Sequence, residues 1–343
     1  MAKISVILPC YNVSAYIDRC LTSIINQTIG VDALEIICVD DASTDNTWQK
    51  LQDWEKKYSQ NIIVIHCDEN GRQGRARNIG LSYASCEWVG FVDADDWIEP
   101  DYFEKLYFIA TNIKCDIVGC AIDRDFSSNL SFFDNRKTGK DDRYMVIDTV
   151  EKRKTFLVFQ SMGANCYGKL IRRSLLLSHQ IYFPENLAYE DNYTASLLHL
   201  YTSKVYLSEE ILYHYYVNPN STVLKKQADY HPDLLTVHSH LFREWNRRGF
   251  FELYHDEFEY SFLVSCYLPM IKILVLRYEI PPYSLYLFAR EFVLNKFPSF
   301  ENNIYLKRKV HSEFYNLMLV SLKYPLSKSE FIEFAKSVKT IGL

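Results

Sequence analysis

Residues 88–97 read WVGFVDADDW, an apolar run that breaks into three carboxylates, Asp93, Asp95 and Asp96. Trp88 to Val92 has the continuous apolar character of a buried strand, and the acids follow where such a strand leaves its sheet. Side chains of an extended segment alternate between faces, so Asp93 and Asp95 are expected to point the same way, with Ala94 between them. Two oxygens held in that fashion suit a hard divalent cation, of the kind that offsets the charge of a diphosphate.

Upstream, the same unit recurs. Ile4–Leu8 is an apolar run closed by Pro9, and Ser14 is expected to cap a helix reaching Asn26. Leu34–Val39 repeats the strand and leads through Asp40 and Asp41 into a helix over Asn46–Tyr58. Ile62–His66 is a third strand; Asn70, Gly71 and Gly74 then form a turn opening a helix from about Arg75 to Ala84. This alternation predicts an α/β fold with a doubly wound, mostly parallel sheet flanked by helices, in which ligands bind at the carboxyl ends of the strands. The polar clusters at Pro9–Asn12, Asp40–Asp41, Asn70 and Asp93–Asp95 should therefore meet on one rim. The glycine pattern of a dinucleotide-binding fold is missing after the first strand, which argues against a dehydrogenase.

The 343 residues suit one large domain and a smaller one. A hydrophobic fraction of 48% and a charged fraction of 24% describe an ordinary soluble chain, and a net charge of -5 argues against nucleic acid as the main partner. Nine cysteines without a Cys-x-x-Cys pair read as free buried thiols of a reducing compartment, which makes the expected localisation cytoplasmic, with the cytoplasmic face of a membrane as a variant. Met1–Leu8 lacks the apolar region of a signal peptide. Ser261–Tyr278 is the most membrane-like stretch, but Pro269, Lys272 and Arg277 favour a buried or interfacial helix.

Downstream of Pro100 a helix is expected to Asn112, a strand over Asp116–Ala121 and a polar loop or hairpin crossing over Asp123–Arg143. Thr149 should cap a helix through Phe159; Cys166–Ile171 is a short strand or turn before a Ser174–Ser178 helix; Ala188–Leu200 is a helix and Val205–Tyr216 an aromatic strand. Helical stretches follow over Pro232–Arg248, Glu252–Arg277, Ser284–Asn295, Asn303–Lys323 and Ser327–Val338. The expected division is a catalytic domain at 1–222, with a nucleotide-binding part to about residue 100 and an acceptor part over 101–222, then an all-helical domain at 223–343. From Glu301 the tail has seven Lys or Arg against four Glu, an excess that suits either an anionic membrane surface or, more simply, a solvated face. Its aromatic helices suit a homo-oligomer interface or packing on the first domain.

The ordered set SVILPCYN (5–12), VDDASTDNT (39–47), NGRQGRARNIG (70–80), FVDADDW (91–97) and YED (189–191) resembles the inverting family 2 glycosyltransferases of GT-A fold. The resemblance implies that Pro9, Tyr11 and Asn12 line a base and ribose pocket, with Tyr11 flanking a uracil, and that Asp41 reads the uracil or ribose. The residue chemistry agrees, since an aromatic face stacks on a base and a carboxylate accepts from an imide N–H. Asp40, Ser43 and Asp45 read more simply as turn and capping residues. Asn70 and Arg77 match positions facing the nucleotide, and Arg77 suits either a phosphate or the acidic cluster. Asp93, Ala94 and Asp95 match the metal motif, with Asp95 as direct ligand, Asp93 shared between ribose and metal, and Mn²⁺ or Mg²⁺ as the implied cofactor; Asp96 reads as structural.

By the same resemblance Asp191 is the catalytic base that takes the acceptor's hydroxyl proton, and Glu190 binds the acceptor or holds that base. Both residues also suit a helix N-terminus for its dipole alone. The segment LYHYYVNPNST (212–222) resembles the one that closes over the diphosphate, but Tyr216 stands where many relatives carry arginine. Leaving-group charge would then rest on the metal, on His214 or on Lys169. His214 is a candidate third metal ligand, although a histidine in an aromatic strand is often a core residue. Ser221 is a candidate donor to the diphosphate, and Lys225 and Lys226 lie nearby in sequence. The implied function is inverting, metal-dependent transfer from a nucleoside diphosphate sugar, most simply a UDP-sugar, to a glycan or glycoconjugate hydroxyl in cell-surface polysaccharide synthesis. The alternative is a non-catalytic sugar-nucleotide-binding subunit, supported by Tyr216 alone; a nucleotidyltransferase would leave Asp191 without a task.

Overall fold

Seven consecutive residues without solvent access on either face, Ile4–Cys10, form strand β1. It lies between β2 (Leu34–Asp40) and β4 (Trp88–Phe91), parallel to both, and β3 (Ile62–His66) pairs parallel with β2. Helices cover both faces of such strands, which is why they read as unbroken apolar runs rather than alternating ones. The computed structural model describes residues 2–126, 130–132, 141–218, 221, 224–308 and 313–341.

The expected parallel arrangement holds across β3-β2-β1-β4, and beyond β4 the sheet is mixed. Strand β8 (Lys169–Arg172) runs antiparallel to β4 and to β6 (Ile117–Asp125), while β9 (Lys204–Tyr216) runs parallel to β6. β5 (Trp97–Ile98) and β7 (Arg143–Val146) both pair antiparallel with β9. β6 is four residues longer than its apolar segment suggests, because Ile122 to Asp125 pair with the aromatic run Tyr213–Tyr216. Part of the polar crossing expected over Asp123–Arg143 lies outside the described residues.

Helices α1 (Ile17–Ile25), α2 (Thr47–Lys57), α3 (Arg72–Tyr83) and α4 (Tyr102–Ile113) flank the parallel half. Ser14 does not cap α1: Tyr16 occupies the N-cap without a side-chain bond, and the Ser14 amide donates to Asp45 Oδ2 at 3.1 Å. Thr149 does cap α5 (Val150–Phe159), its hydroxyl accepting from the Lys152 amide at 3.2 Å. α6 (Arg173–Ser178) and α7 (Glu190–Tyr201) precede β9. α3 begins three residues before the expected Arg75, directly after Gly71.

The chain forms two compact units, Met1–Arg153 with Ser161–Asn218, and Lys154–Gln160 with Pro219–Leu343. Thus Lys154–Gln160 and Ser221, both expected in the first domain, belong to the second unit. There α8 (Asp233–Arg247) buries Leu234, Leu241 and Trp245, whose indole stacks on Phe258 with centroids 4.1 Å apart. α9 (His255–Phe262) continues through a π-helical turn, Leu263–Tyr267, into α10 (Leu268–Arg277). The turn places Ser265 four residues before Pro269, where an α-helix would bring a carbonyl against the proline ring. This 255–277 stretch is the one helix among the described residues long and apolar enough to cross a membrane, yet 61% of its apolar window is buried inside the protein.

α11 (Tyr283–Leu294), α12 (Ile304–Arg308), α13 (Glu313–Lys323) and α14 (Lys328–Ile341) complete the unit. The single helix expected over Asn303–Lys323 is described as α12 and α13, with residues 309–312 outside the described set. Part of the basic excess has local partners: Lys323 pairs with Glu301 at 2.6 Å, and Lys339 donates to the Tyr278 carbonyl at 2.7 Å.

In the first unit, Gly74 lets α3 pass close to the chain ahead of α7. A Cβ there would stand 2.1 Å from the Pro184 carbonyl oxygen and 3.2 Å from Glu190 Cγ. Gly74→Ala is expected to destabilise the protein by about 1–3 kcal/mol through overpacking against backbone, read as a lower midpoint in urea denaturation.

Candidate active site

Each strand of the parallel half ends in a loop tied to its neighbour. Asn12 takes a positive φ of 52°, its amide donates to Ser43 Oγ at 3.0 Å, and its Oδ1 accepts the Thr44 amide at 2.8 Å. Asn12, expected to line the base and ribose pocket, thus clamps the 43–45 loop with its side-chain oxygen. Asp45 accepts from the Thr47 amide at 2.9 Å, in keeping with its capping role. Pro9 is buried within β1, past the last β1–β4 pair, Ile7 with Phe91, so its missing N–H breaks no bond on that side. Tyr11 stands 46% exposed, its ring open for stacking.

The two acids after β2 separate cleanly. Asp40 lies opposite His66 in the ladder, and its Oδ2 meets His66 Nδ1 at 2.7 Å. Asp41 is 2% exposed; its Oδ1 accepts the Gly71 amide at 2.9 Å and its carbonyl accepts Asn70 Nδ2 at 3.1 Å. Asp41 Oδ2 is buried without a partner among the described residues. Burial raises the Asp41 carboxyl above its ordinary value, against the lowering by the Gly71 and Arg72 amides. Asn70 thus orients the Asp41 backbone, and Asp41 presents an unsatisfied acceptor.

Residues 93–96 are not extended. The Asp96 amide donates to the Asp93 carbonyl at 3.0 Å, closing a turn that leaves Asp93 and Asp95 half-buried and Ala94 and Asp96 buried. The pair still shares the open side, by turn geometry rather than strand alternation. Asp96 is structural, accepting from the Tyr213 hydroxyl at 2.6 Å and the Tyr216 amide at 2.8 Å. Asp95 Oδ2 accepts Asn218 Nδ2 at 3.1 Å. Burial, then the Asp93 charge, pushes Asp95 up to about 6.

Arg77 joins these acids to the Glu190 loop. Its Nη2 donates to Asp93 Oδ1 at 2.8 Å and its Nη1 to Glu190 Oε1, with the guanidinium 3% exposed. Burial opposes its charge, and Cys166 together with the Asp93 and Glu190 carboxylates more than offsets this, leaving it well above the ordinary value. Of its two expected roles, the structure gives it the second, holding the acidic cluster. Glu190 in turn is oriented by Arg77, while Asp191 accepts the Asn192 amide at 2.9 Å and Asn192 Nδ2 at 3.0 Å, both on Oδ1. Tyr189 just before them has φ 65°, a left-handed turn unusual for an aromatic residue, which aims both acids. Burial, followed by the Glu190 charge, raises Asp191 to about 7.

His214 is placed elsewhere than expected. Its Nε2 lies 2.8 Å from Glu99 Oε1, its ring stacks on Trp97, and the ligand atoms it can offer group with those of Asp123 and Asp125 within 4.8 Å. Strand alternation accounts for this, since Tyr213 points toward Asp96 and the next residue points away. Ser221 falls in the second unit, where its carbonyl accepts the Leu224 amide at 3.1 Å.

Arg19 of α1 went unread in the sequence. Its guanidinium lies 4.1 Å from the Trp97 ring centroid and 4.9 Å from that of Tyr216, and Nη2 donates to the Asp95 carbonyl at 2.5 Å. Tyr216, where an arginine was expected, therefore seats a guanidinium contributed by α1. The departure at Tyr216 was the one sequence signal of it.

Removing Arg77 would leave the buried Glu190 and the half-buried Asp93 without their cation. Arg77→Leu is expected to cost about 3–5 kcal/mol at neutral pH, read as a lower midpoint in urea denaturation.

The model of the Glycosyl transferase family 2 matches residues 5–179, about half of the chain, ending ahead of Glu190. The putative glycosyltransferase EpsH of Bacillus subtilis (strain 168) is 32% identical over 230 residues, covering 65% of this chain and 63% of its own. The poly(ribitol-phosphate) beta-glucosyltransferase of Bacillus spizizenii is 30% identical over 216 residues, covering 63% of this chain and 32% of its own. The chain thus spans less than two thirds of these relatives. Among solved structures, residues 1–349 of S. aureus TarS superpose with a TM-score of 0.66 at 20% identity, covering 99% of this chain and 92% of that one. The same protein crystallised with UDP-GlcNAc gives a TM-score of 0.56 at 19% identity over 90% and 93% of the two chains. These likenesses establish a GT-A-like fold with a helical C-terminal region, and the family match with its motifs in order establishes that the chain belongs to glycosyl transferase family 2.

Proposed function

We propose that this glycosyltransferase is inverting and metal-dependent, moving a sugar from UDP to a hydroxyl of a glycan or glycoconjugate acceptor of the cell surface. The observation that carries the reading is the sorting of the two acids at the start of α7: Glu190 is tied to Arg77, whereas Asp191, raised to about 7, has hydrogen bonds from the described residues on one oxygen only. A carboxylate poised near neutrality is suited to general-base work. As the acceptor oxygen attacks the anomeric carbon, Asp191 takes its proton and the bond to the diphosphate breaks on the opposite side, which inverts the centre.

The donor end is supported by Asp41, whose buried, unpaired Oδ2 suits the imide N–H of uracil, and by the open Tyr11 ring. UDP-GlcNAc bound to TarS supports a UDP-sugar as donor class. Asp93 and Asp95 fit a divalent cation: their oxygens are hard ligands, and burial together with the neighbouring Asp93 charge disfavours ionised Asp95 until a cation is near. Such a cation would offset the charge that develops on the departing diphosphate. Arg19 fixes the Asp95 backbone from the other side. Free cysteines throughout, eight of the nine buried, support a reducing, cytoplasmic setting. Retention of the full acid set weighs against a non-catalytic subunit.

Asp191→Asn is expected to abolish transfer while leaving UDP affinity within about twofold, and unmodified transfer should fall about tenfold per pH unit below about 7. Full transfer by the variant would remove Asp191 from the mechanism. A second readout needs no acceptor. Because the folded state binds the Asp191 proton more tightly than the unfolded chain, that group's contribution to stability is lost as pH rises from 3.8 through about 7. Asp191→Asn should therefore raise the melting temperature at neutral pH and leave it unchanged in strong acid.

A further inference from the structure

A cavity of about 390 Å³ opens in the first unit, where Arg143, Ser161, Asn165, Lys169, Ser208 and Glu209 supply its polar lining. Lys169, the first residue of β8, is 5% exposed. Its ammonium donates to the Asn165 carbonyl and forms no ion pair with a described residue. An ammonium has three N–H donors, so a single carbonyl leaves it short of acceptors in a setting where an unpaired charge is costly.

The charges that bear on Lys169 come from Cys166, Cys120 and Asp191. Burial pushes both thiols up to about 12, so they are neutral at physiological pH and Asp191 is the acid it faces. Asp93 and Asp95 are not in that set. The one carboxylate that bears on Lys169 is therefore the residue proposed above as the base. Burial also lowers Lys169 itself to about 8, as befits a cation without a counter-ion. On the rim, Arg143 of β7, opposite Leu207 of β9, adds an exposed guanidinium to the same cavity.

We propose that this cavity seats an oxyanion carried by the acceptor, with Lys169 and Arg143 as its cations. The chemistry fits a phosphodiester of a polyol-phosphate chain or the carboxylate of a uronic acid, both single negative charges with oxygen acceptors on a chain of hydroxyls. This rests on the transferase reading above and extends it to the acceptor class.

The test uses the full chain saturated with UDP and measures binding of short oligomers of equal length by calorimetry: ribitol phosphate, a glucuronate-containing glycan and a neutral glucan. One of the two acidic oligomers is expected to bind at least about tenfold more tightly than the neutral one, and the better of them identifies the oxyanion. Lys169→Met and Arg143→Ala should each remove about tenfold of that preference while UDP affinity stays as in the unmodified chain. Arg143 is exposed on a strand, so its variant reports even where Lys169→Met fails to fold. Equal binding of all three oligomers, or a preference that survives in every folded variant, overturns the proposal. A chain that binds no UDP fails the transferase reading first, and the acceptor proposal with it.

Discussion

The ion pairs of Arg77 are the constraint on which the site depends. One buried guanidinium holds Asp93 from the turn after β4 and Glu190 from the head of α7, residues far apart in the chain. Neither Arg77 nor Glu190 could be buried alone as an ion without a large desolvation penalty, so each requires the other, and Asp93 completes the guanidinium's partners. Gly74, one helical turn earlier on α3, removes the side chain that would keep the Pro184 backbone at a distance. The turn after β4 and the head of α7 are thus joined through one helix, and a charge change at either end is felt at the other.

A second stack fixes the other flank. Tyr216, Arg19, Trp97 and His214 lie ring against guanidinium against ring, and Glu99 receives the far end at His214. The arrangement explains why an aromatic residue is tolerated where an arginine was expected, since the ring holds a cation from α1 in its place. It also explains why His214 does not join the Asp93–Asp95 turn, for its ring is sandwiched on the opposite face of β9.

What the sequence revealed follows from which forces are local. Strands buried on both faces leave unbroken apolar runs, so Ile4–Leu8, Leu34–Val39 and Trp88–Val92 were legible, and with them the rim where Asp41, Asn70 and Asp93 gather. Contacts that cross the chain left no such trace. Ser14 carries the composition of a cap, yet its amide is taken by Asp45. Asn12 has the look of a ligand residue, yet its oxygen fastens a neighbouring loop. Arg19 reads as an ordinary polar position of an amphipathic helix until Trp97 and Tyr216 are folded against it. The mixed half of the sheet was hidden because an aromatic run such as Tyr213–Tyr216 pairs equally well in either direction.

Asp41 has one oxygen bonded by Gly71 and the other buried without a hydrogen-bond partner among the described residues. An acceptor left in that condition sorts ligands mainly by refusal. A base edge that offers an N–H completes it, whereas an edge that offers a lone pair, as the N3 of cytosine does, meets repulsion and leaves the carboxylate without the water it gave up. On the proposed reading, telling one pyrimidine from another at this rim would then be a matter of a single proton on the base, read by that oxygen.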